Sequence, residues 1–78
     1  MEAYTETYKG KTYTVYHGSP FDRGAADSYY GRGRDPHYYP NGSYNGEPVV
    51  VLTTEELEAY NAGFDHNELV LRDFKDWG

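Results

Sequence analysis

The sequence contains no cysteine and only nine valine and leucine residues. Without cysteine, no disulfide can brace the fold and no thiolate can bind zinc. A domain of 78 residues buries little more than about 60% of the surface that its unfolded chain exposes. Aromatic residues must therefore supply much of the core, and ten residues are tyrosines. Because a buried tyrosine needs a partner for its hydroxyl, we expect a small aromatic core with hydroxyls at its rim.

A long apolar run and an excess of positive charge are also lacking. No stretch approaches the ~20 apolar residues of a membrane-spanning helix, and the N-terminus lacks the apolar segment of a secretory signal. The formal net charge is −6, and residues 53–78 carry seven acidic residues against two basic ones. This charge argues against a nucleic-acid partner and favours a protein partner with a basic surface. We expect no membrane association and a cytoplasmic location.

Residues 1–18 predict a β-hairpin. The segments 4–8 and 12–16 are rich in Thr, Tyr and Val, which strands favour, and the short linker between them contains Gly10. The alternation of residue types predicts one buried and one wetter face.

Residues 19–31 predict the first helix. Ser19 is a good N-cap, Pro20 suits the first helical position, and Gly31 should end the helix. Spacing of i, i+4 and i+8 predicts an apolar face made by Phe21, Ala25 and Tyr29.

Residues 32–48 predict a long loop rich in Tyr and Gly, with turn signals at Asn41-Gly42 and Asn45-Gly46. Such a long irregular stretch in a compact domain is usually functional or mobile. The run Pro48–Leu52 then predicts a third strand, either buried on both faces or lying between the hairpin and a helix.

Residues 49–68 combine this strand with a second helix. The helix begins at the capping box formed by Thr53 and Glu56. The spacing of Leu57, Tyr60 and Phe64 predicts that the helix continues through Gly63 to about residue 67. A helix that ends at Gly63 as its C-cap stays open. The tail 69–78 either adds an edge strand or lies across the domain.

Two glycines, Gly24 and Gly63, fall inside the predicted helices. Each costs roughly 1 kcal/mol against alanine, so a packing reason is expected. We predict that the helices cross closely through small residues, namely Gly24, Ala25, Ala62 and Gly63. The whole chain predicts a single α+β domain, in which a small antiparallel sheet of the hairpin plus a third strand packs against two short helices.

The three histidines, His17, His37 and His66, lack metal-ligand spacing, and we predict no metal and no cofactor. An acid–base site would need His37, Asp35 and Asp27 to converge in a pocket. A chain this small has difficulty building a cleft that buries a substrate. We therefore predict a protein that is not an enzyme, and keep a small enzyme as a hypothesis that requires this convergence.

The run Gly31-Arg32-Gly33-Arg34 is similar to a small phosphate-binding loop but lacks the strand–loop–helix context. Arginine and tyrosine are enriched at interface hot spots. We predict partner contacts from this loop and from the acidic start of the second helix, at Arg23, Arg32, Arg34, Tyr38, Tyr39, Glu55, Glu56 and Glu58. The alternatives are that the loop pairs with the acidic helix at 55–68 and that the two tyrosines cap the core.

The stretch DRGAADSYYGRGRDPHYYPNGSYNGE, with LTTEELEAYNAGFDHNE and the KDWG end, resembles a group of small uncharacterised proteins of tailed bacteriophages and prophages. The resemblance covers about residues 20–78. It implies an accessory role, because small acidic phage proteins often bind and inhibit a host protein, sometimes a defence nuclease whose nucleic-acid site they block. On this basis we expect an inhibitor or modulator of a host or anti-phage defence protein, acting in the cytoplasm of the infected bacterium.

A looser similarity is to the ribosome modulation factor, which also has a glycine-bearing helix, a proline–aromatic loop and a second helix with an aromatic-x-x-Gly-aromatic core. The matching positions are Arg23, Gly24, Gly31, Pro36, Tyr38, Tyr60, Gly63 and Phe64. This similarity implies the alternative function of a ribosome- or RNA-associated modulator. That family is strongly basic, whereas this chain is acidic. A homo-oligomer also stays open, since domains this small often gain stability by association.

Overall fold

A computed structural model of the chain describes residues 3–42 and 46–76. Its elements, in chain order, are strand β1 (Ala3–Tyr8), strand β2 (Lys11–Tyr16), helix α1 (Pro20–Tyr29), helix α2 (Thr54–His66) and a π-helical turn (Asn67–Leu71). The fold is α+β, as predicted, with a two-stranded antiparallel sheet and a pair of helices. The turn predicted at Asn45 and the Trp77-Gly78 end of the tail lie outside the described residues.

A two-residue turn joins β1 to β2. Lys9 and Gly10 adopt φ of 52° and 78°, and the antiparallel register pairs Tyr8 with Lys11. Two successive left-handed residues are the geometry that best matches the twist of a hairpin, and glycine adopts it without steric cost. The predicted hairpin is therefore confirmed.

The buried face of β2 forms the core together with α1 and α2. Along β2, Tyr13 and Val15 are buried while Thr12 and Thr14 are exposed, which confirms the predicted alternation for this strand. The Tyr13 ring lies against the Phe21 ring, with centroids 5.4 Å apart. The buried apolar cluster consists of Tyr13, Val15, Phe21 and Ala62.

Helix α1 runs from Pro20 to Tyr29, within the predicted range 19–31. The Ser19 hydroxyl accepts a hydrogen bond from the Asp22 amide at its start, and the Gly31 amide donates to the Ser28 carbonyl just beyond its end. Of the predicted apolar face, however, only Phe21 is fully in the core. Ala25 and Tyr29 are only half-buried, and the buried residues of α1 are Phe21, Arg23, Gly24, Asp27 and Ser28. Polar side chains therefore occupy much of the face that α1 turns inward.

Helix α2 begins with the predicted capping box. The Thr53 hydroxyl accepts from the Glu56 amide, and the Glu56 carboxylate accepts from the Thr53 amide. The helix continues through Gly63 to His66, so the interior position of Gly63 is confirmed and its role as a C-cap is excluded. The π-helical turn then extends α2 to Leu71.

Close approach of α1 to α2 explains the two interior glycines. A Cβ atom at Gly24 would overlap the Tyr60 carbonyl oxygen and lie 2.9 Å from the Phe64 nitrogen. A Cβ atom at Gly63 would overlap the Phe21 carbonyl oxygen and lie 2.8 Å from its carbonyl carbon. Each glycine thus admits the backbone of the opposite helix, and the predicted crossing is confirmed.

The predicted third strand is wrong. In the segment 48–52, an isolated antiparallel bridge joins Val49 to Tyr38, and no strand forms there. Val50 and Val51 are 67% and 85% exposed, so the triple-valine run is not buried on both faces. The physical reason is that Val49 pairs with Tyr38 of the loop, so in the described part of the chain the run does not join the two-stranded hairpin and has no neighbouring strand to cover it. Within the described residues, no helix is both long and apolar enough to cross a membrane.

Replacing Gly24 with alanine should destabilise the fold by at least about 2 kcal/mol, because the new methyl group has only backbone atoms to displace. Helix propensity alone predicts the opposite sign, a gain of roughly 1 kcal/mol. Urea unfolding followed by circular dichroism measures the difference. Ala26→Gly on α1 is the matched control and should cost only about 1 kcal/mol. A more stable Gly24→Ala variant would contradict the close crossing.

Candidate functional site

The Arg/Tyr loop that follows α1 is tied to α2 through Arg34. Its Nη1 donates to the Asn61 Oδ1 at 2.9 Å, and its Nη2 forms an ion pair with Asp65. The guanidinium also lies over the Phe64 ring, 4.3 Å from its centroid. This is the pairing with the acidic helix that the sequence analysis kept as an alternative. The Arg34 side chain remains partly exposed while it makes these contacts.

Arg23 lies in the interior, not on the predicted contact surface. The residue is 5% exposed, and its Nε donates to the His37 Nε2 at 3.1 Å. Its guanidinium also lies 5.5 Å from the centroid of the Tyr39 ring. Because these contacts join α1 to the loop, we assign Arg23 to holding the loop in place. Tyr39 is further held by its amide, which donates to the Gly18 carbonyl at 2.7 Å.

A buried carboxylate at Asp27 accepts hydrogen bonds from both sides. Its Oδ2 accepts from the Tyr60 hydroxyl, and its Oδ1 accepts from the Arg32 Nε at 3.0 Å. The Tyr60 hydroxyl in turn accepts from the Asp35 amide at 2.8 Å. Burial, together with the hydrogen bond to Asp27, raises the pKa of Tyr60 well above its ordinary value. The tyrosine therefore stays protonated and acts as a donor to the carboxylate.

His37 completes this cluster, which we call the Asp27 network (Arg23, Asp27, Arg32, His37 and Tyr60). Its Nδ1 lies 2.6 Å from the Asp35 carbonyl oxygen and 3.7 Å from the Asp27 Oδ2. Because Arg23 can only donate, the His37 Nε2 is an acceptor. The proton therefore sits on Nδ1, where the Asp35 carbonyl can accept it. Both ring nitrogens are thus engaged within the protein.

The small-enzyme hypothesis required His37, Asp35 and Asp27 to converge, and the structure brings two of these side chains together. Asp35 contributes its backbone groups to the contacts described here, and the residue is exposed. The Asp27 side chain is only 3% exposed, and Tyr60 is fully buried. These groups bond to one another around the buried Asp27 carboxylate, so the arrangement is suited to bracing the loop.

A shallow groove lies elsewhere, between the hairpin turn and α2. Its volume is about 330 Å³, and its lining residues are Tyr8, Lys9, Lys11, Tyr13, Glu58, Asn61, Ala62 and Asp65. No member of the Asp27 network lines it. The hairpin contributes lysines and α2 contributes carboxylates, so the groove selects for neither sign of charge. Among residues 3–42 and 46–76, no group of three or more metal-ligating side chains could hold a metal ion.

The predicted acidic contacts at the start of α2 divide into two kinds. Glu56 accepts from the Thr53 amide at 2.8 Å and bonds the Tyr38 hydroxyl, and these bonds lower its pKa. Glu58 accepts from the Lys11 ammonium at 2.9 Å, which lowers the pKa of Glu58. Both therefore hold parts of their own chain, and they bring Tyr38 and the hairpin onto α2. Glu55, which precedes both in α2, is exposed.

Exposed aliphatic side chains form a feature that sequence reasoning missed. Six of the nine valines and leucines are exposed, namely Val50, Val51, Leu57, Leu69, Val70 and Leu71. Phe74 lies exposed in the tail as well. The signal was visible as two short apolar runs, 49–52 and 69–71, each interpreted as part of a buried or edge strand.

The comparisons of this chain with family models, curated proteins and solved structures found no match.

Removing the Tyr60 hydroxyl should destabilise the fold by about 1–3 kcal/mol. Tyr60→Phe keeps the buried ring but leaves the Asp27 carboxylate and the Asp35 amide each without one partner. Chemical unfolding of the variant and the parent measures the loss. Tyr4→Phe, at an exposed ring on β1, is the matched control and should change stability little. Equal stability of the Tyr60→Phe variant and the parent would show that the hydroxyl has no structural role.

Alkaline pH should weaken the fold through the same residue. In the unfolded chain Tyr60 loses its proton near its ordinary pKa of 10, whereas in the folded chain its pKa is raised. Above pH 10 the unfolded state therefore binds fewer protons, so the free energy of unfolding falls as pH rises. Below pH 10 the contribution is fully present.

Urea unfolding between about pH 9 and about pH 11 measures this slope. The Tyr60→Phe variant should show a shallower decline than the parent. Because Tyr4, Tyr13, Tyr16 and Tyr38 also have raised pKa values, a residual slope should remain. Identical slopes in the two proteins would refute the assignment to Tyr60.

Proposed function

We propose that this chain is a non-enzymatic protein-binding module, an accessory protein of a tailed phage. In this proposal it binds a host or anti-phage defence protein in the infected cell and modulates or inhibits it. The observation that carries the proposal is the exposure of six of the nine valine and leucine residues. The phage context comes from the sequence resemblance.

The use of aliphatic residues supports a docking role. Contiguous exposed apolar patches on small proteins commonly mark interaction sites. Here aliphatic residues are scarce, yet Val15 is the one valine or leucine that is fully buried. Covering apolar surface with a partner contributes about 25 cal/mol for each Å² removed from water. The distribution therefore favours a chain that buries these side chains against another protein.

Charge beside one patch supports a partner with a basic surface. Residues 46–58 surround Val50, Val51 and Leu57 with four glutamates and contain no basic residue. Complementary charge speeds association and excludes wrong partners. A basic surface is also what nucleic-acid-binding proteins present, so occupation of such a surface is one route to inhibition.

The positions of the arginines favour a protein partner over RNA. Arg23, Arg32 and Arg34 pair with His37, Asp27 and Asp65, respectively. An RNA-binding surface would instead direct its arginines at phosphates and bases. In this structure these three arginines hold the loop against α1 and α2.

Affinity capture from a lysate of a bacterial host tests the proposal. The parent chain should recover a protein in stoichiometric amount, and the yield should fall as salt rises. Recovery should survive nuclease treatment. Val51→Glu or Val70→Glu should abolish capture by placing a charge in one of the two apolar runs. Thr14→Glu, at an exposed position of β2, is the matched control.

Two outcomes would overturn the proposal. One is recovery of no stoichiometric protein under several salt conditions. The other is recovery of ribosomal particles that nuclease releases, which would instead support the RNA-associated alternative.

A further inference from the structure

The segment 47–50, which we call the valine edge, has one backbone edge paired and the other unpaired. The Val49 amide donates to the Tyr38 carbonyl at 2.8 Å, and the Tyr38 amide donates to the Val49 carbonyl at 3.1 Å. These two bonds make the isolated antiparallel bridge between the loop and the valine run. They fix the edge at Val49 before any partner arrives.

Val50 presents its backbone on the opposite side. Successive residues of an extended chain direct their N–H and C=O groups to alternate edges, so those of Val50 point away from Tyr38. Within the described residues, the Val50 backbone has no hydrogen-bond partner. The Val50 side chain is 67% exposed. An unpaired edge of β-branched residues is a ready template for another strand.

We propose that the valine edge docks an extended segment of the partner protein, which adds to it as a short strand through backbone hydrogen bonds. This inference rests on the proposed function and specifies the occupant of the docking site. The segment alternates apolar and basic side chains, so that one face covers Val50 while the other meets Glu47, because successive residues of an extended chain lie on opposite faces. Strand addition of this kind draws affinity from the backbone and specificity from alternate side chains.

Charge decides between a foreign segment and a second copy of this chain. Glu47 lies within the valine edge and Glu55 follows it, and both are exposed. Two copies paired at this edge would bring the exposed Glu47 and Glu55 of each to one surface, and juxtaposed like charges disfavour association. Pro48 also lacks an amide proton, which shortens the edge that a second copy could use. A foreign segment with lysine or arginine at alternate positions brings neither a second set of glutamates nor a second proline to the pair.

A synthetic peptide tests the inference without the natural partner. The probe is an acetylated peptide of about eight residues that alternates valine with lysine, added to the isotope-labelled full chain and followed by NMR. The amide of Val50 and its neighbours should shift on titration. A peptide with the same side chains but N-methyl groups on consecutive backbone amides has both edges blocked and cannot pair as a strand. It should bind at least about tenfold more weakly, because it loses the backbone bonds.

Variants of the chain locate the contact. Val50→Pro removes the amide proton from the unpaired edge and favours extended backbone at Val49, so it should weaken peptide binding about tenfold. Glu47→Gln with Glu55→Gln should weaken binding and reduce its dependence on salt. Thr14→Gln, at an exposed position of β2 outside both apolar runs, is the control and should bind the peptide as the parent does.

Three results would overturn the inference: equal affinity for the methylated peptide, unchanged binding by Val50→Pro, or self-association of the parent that involves Val50. The first needs no variant, so it holds even where Val50→Pro fails to fold. If lysate capture succeeds but Val50→Pro retains both partner and peptide, the valine edge is rejected while the proposed function stands. If the peptide binds as expected and lysate capture recovers no protein, the proposed function fails instead.

Discussion

The close crossing of α1 and α2 is the constraint on which the rest of this structure depends. Gly24 receives the backbone of α2, and Gly63 receives the backbone of α1. At this separation the side chains beside the crossing must fit between the two helices. Tyr60 is thereby buried completely and its hydroxyl reaches Asp27. Two glycines that weaken their own helices thus position the central hydrogen bond of the domain.

The Asp27 network follows from that hydrogen bond. A buried carboxylate is costly unless it is paired and hydrogen-bonded, and Asp27 obtains donors from Tyr60 and Arg32. Arg32 belongs to the loop and His37 joins the loop to Arg23, so satisfying the buried charge also orders the start of the loop. The long irregular segment is held by polar contacts with the helices, and little aliphatic packing is needed to hold it.

Local signals predicted the elements well, because each depends on residues that lie close in sequence. The Ser19 cap, the Thr53 capping box and the glycine turn of the hairpin all act within a few residues. The face that α1 buries was mispredicted, since Arg23 and Asp27 become acceptable inside only when His37 and Tyr60 arrive from distant parts of the chain. The spacing of hydrophobic residues within one helix carries no information about partners from distant parts of the chain. The valine run failed for a related reason, because its burial depended on a neighbouring strand that the fold does not provide.

The polar interior and the exposed aliphatic residues are linked through the way side chains divide between the interior and the surface. Tyrosine, arginine, aspartate and histidine fill the space between the helices and the loop, and they satisfy one another there. The valines and leucines are therefore not needed to fill the interior, and six of the nine are exposed to solvent. A chain under selection for folding and solubility alone would favour polar residues at these exposed positions, because exposed apolar patches promote association. In the proposed docking role, the triple-valine run at the edge aligned by Tyr38 is a surface whose hydrophobic burial another molecule completes.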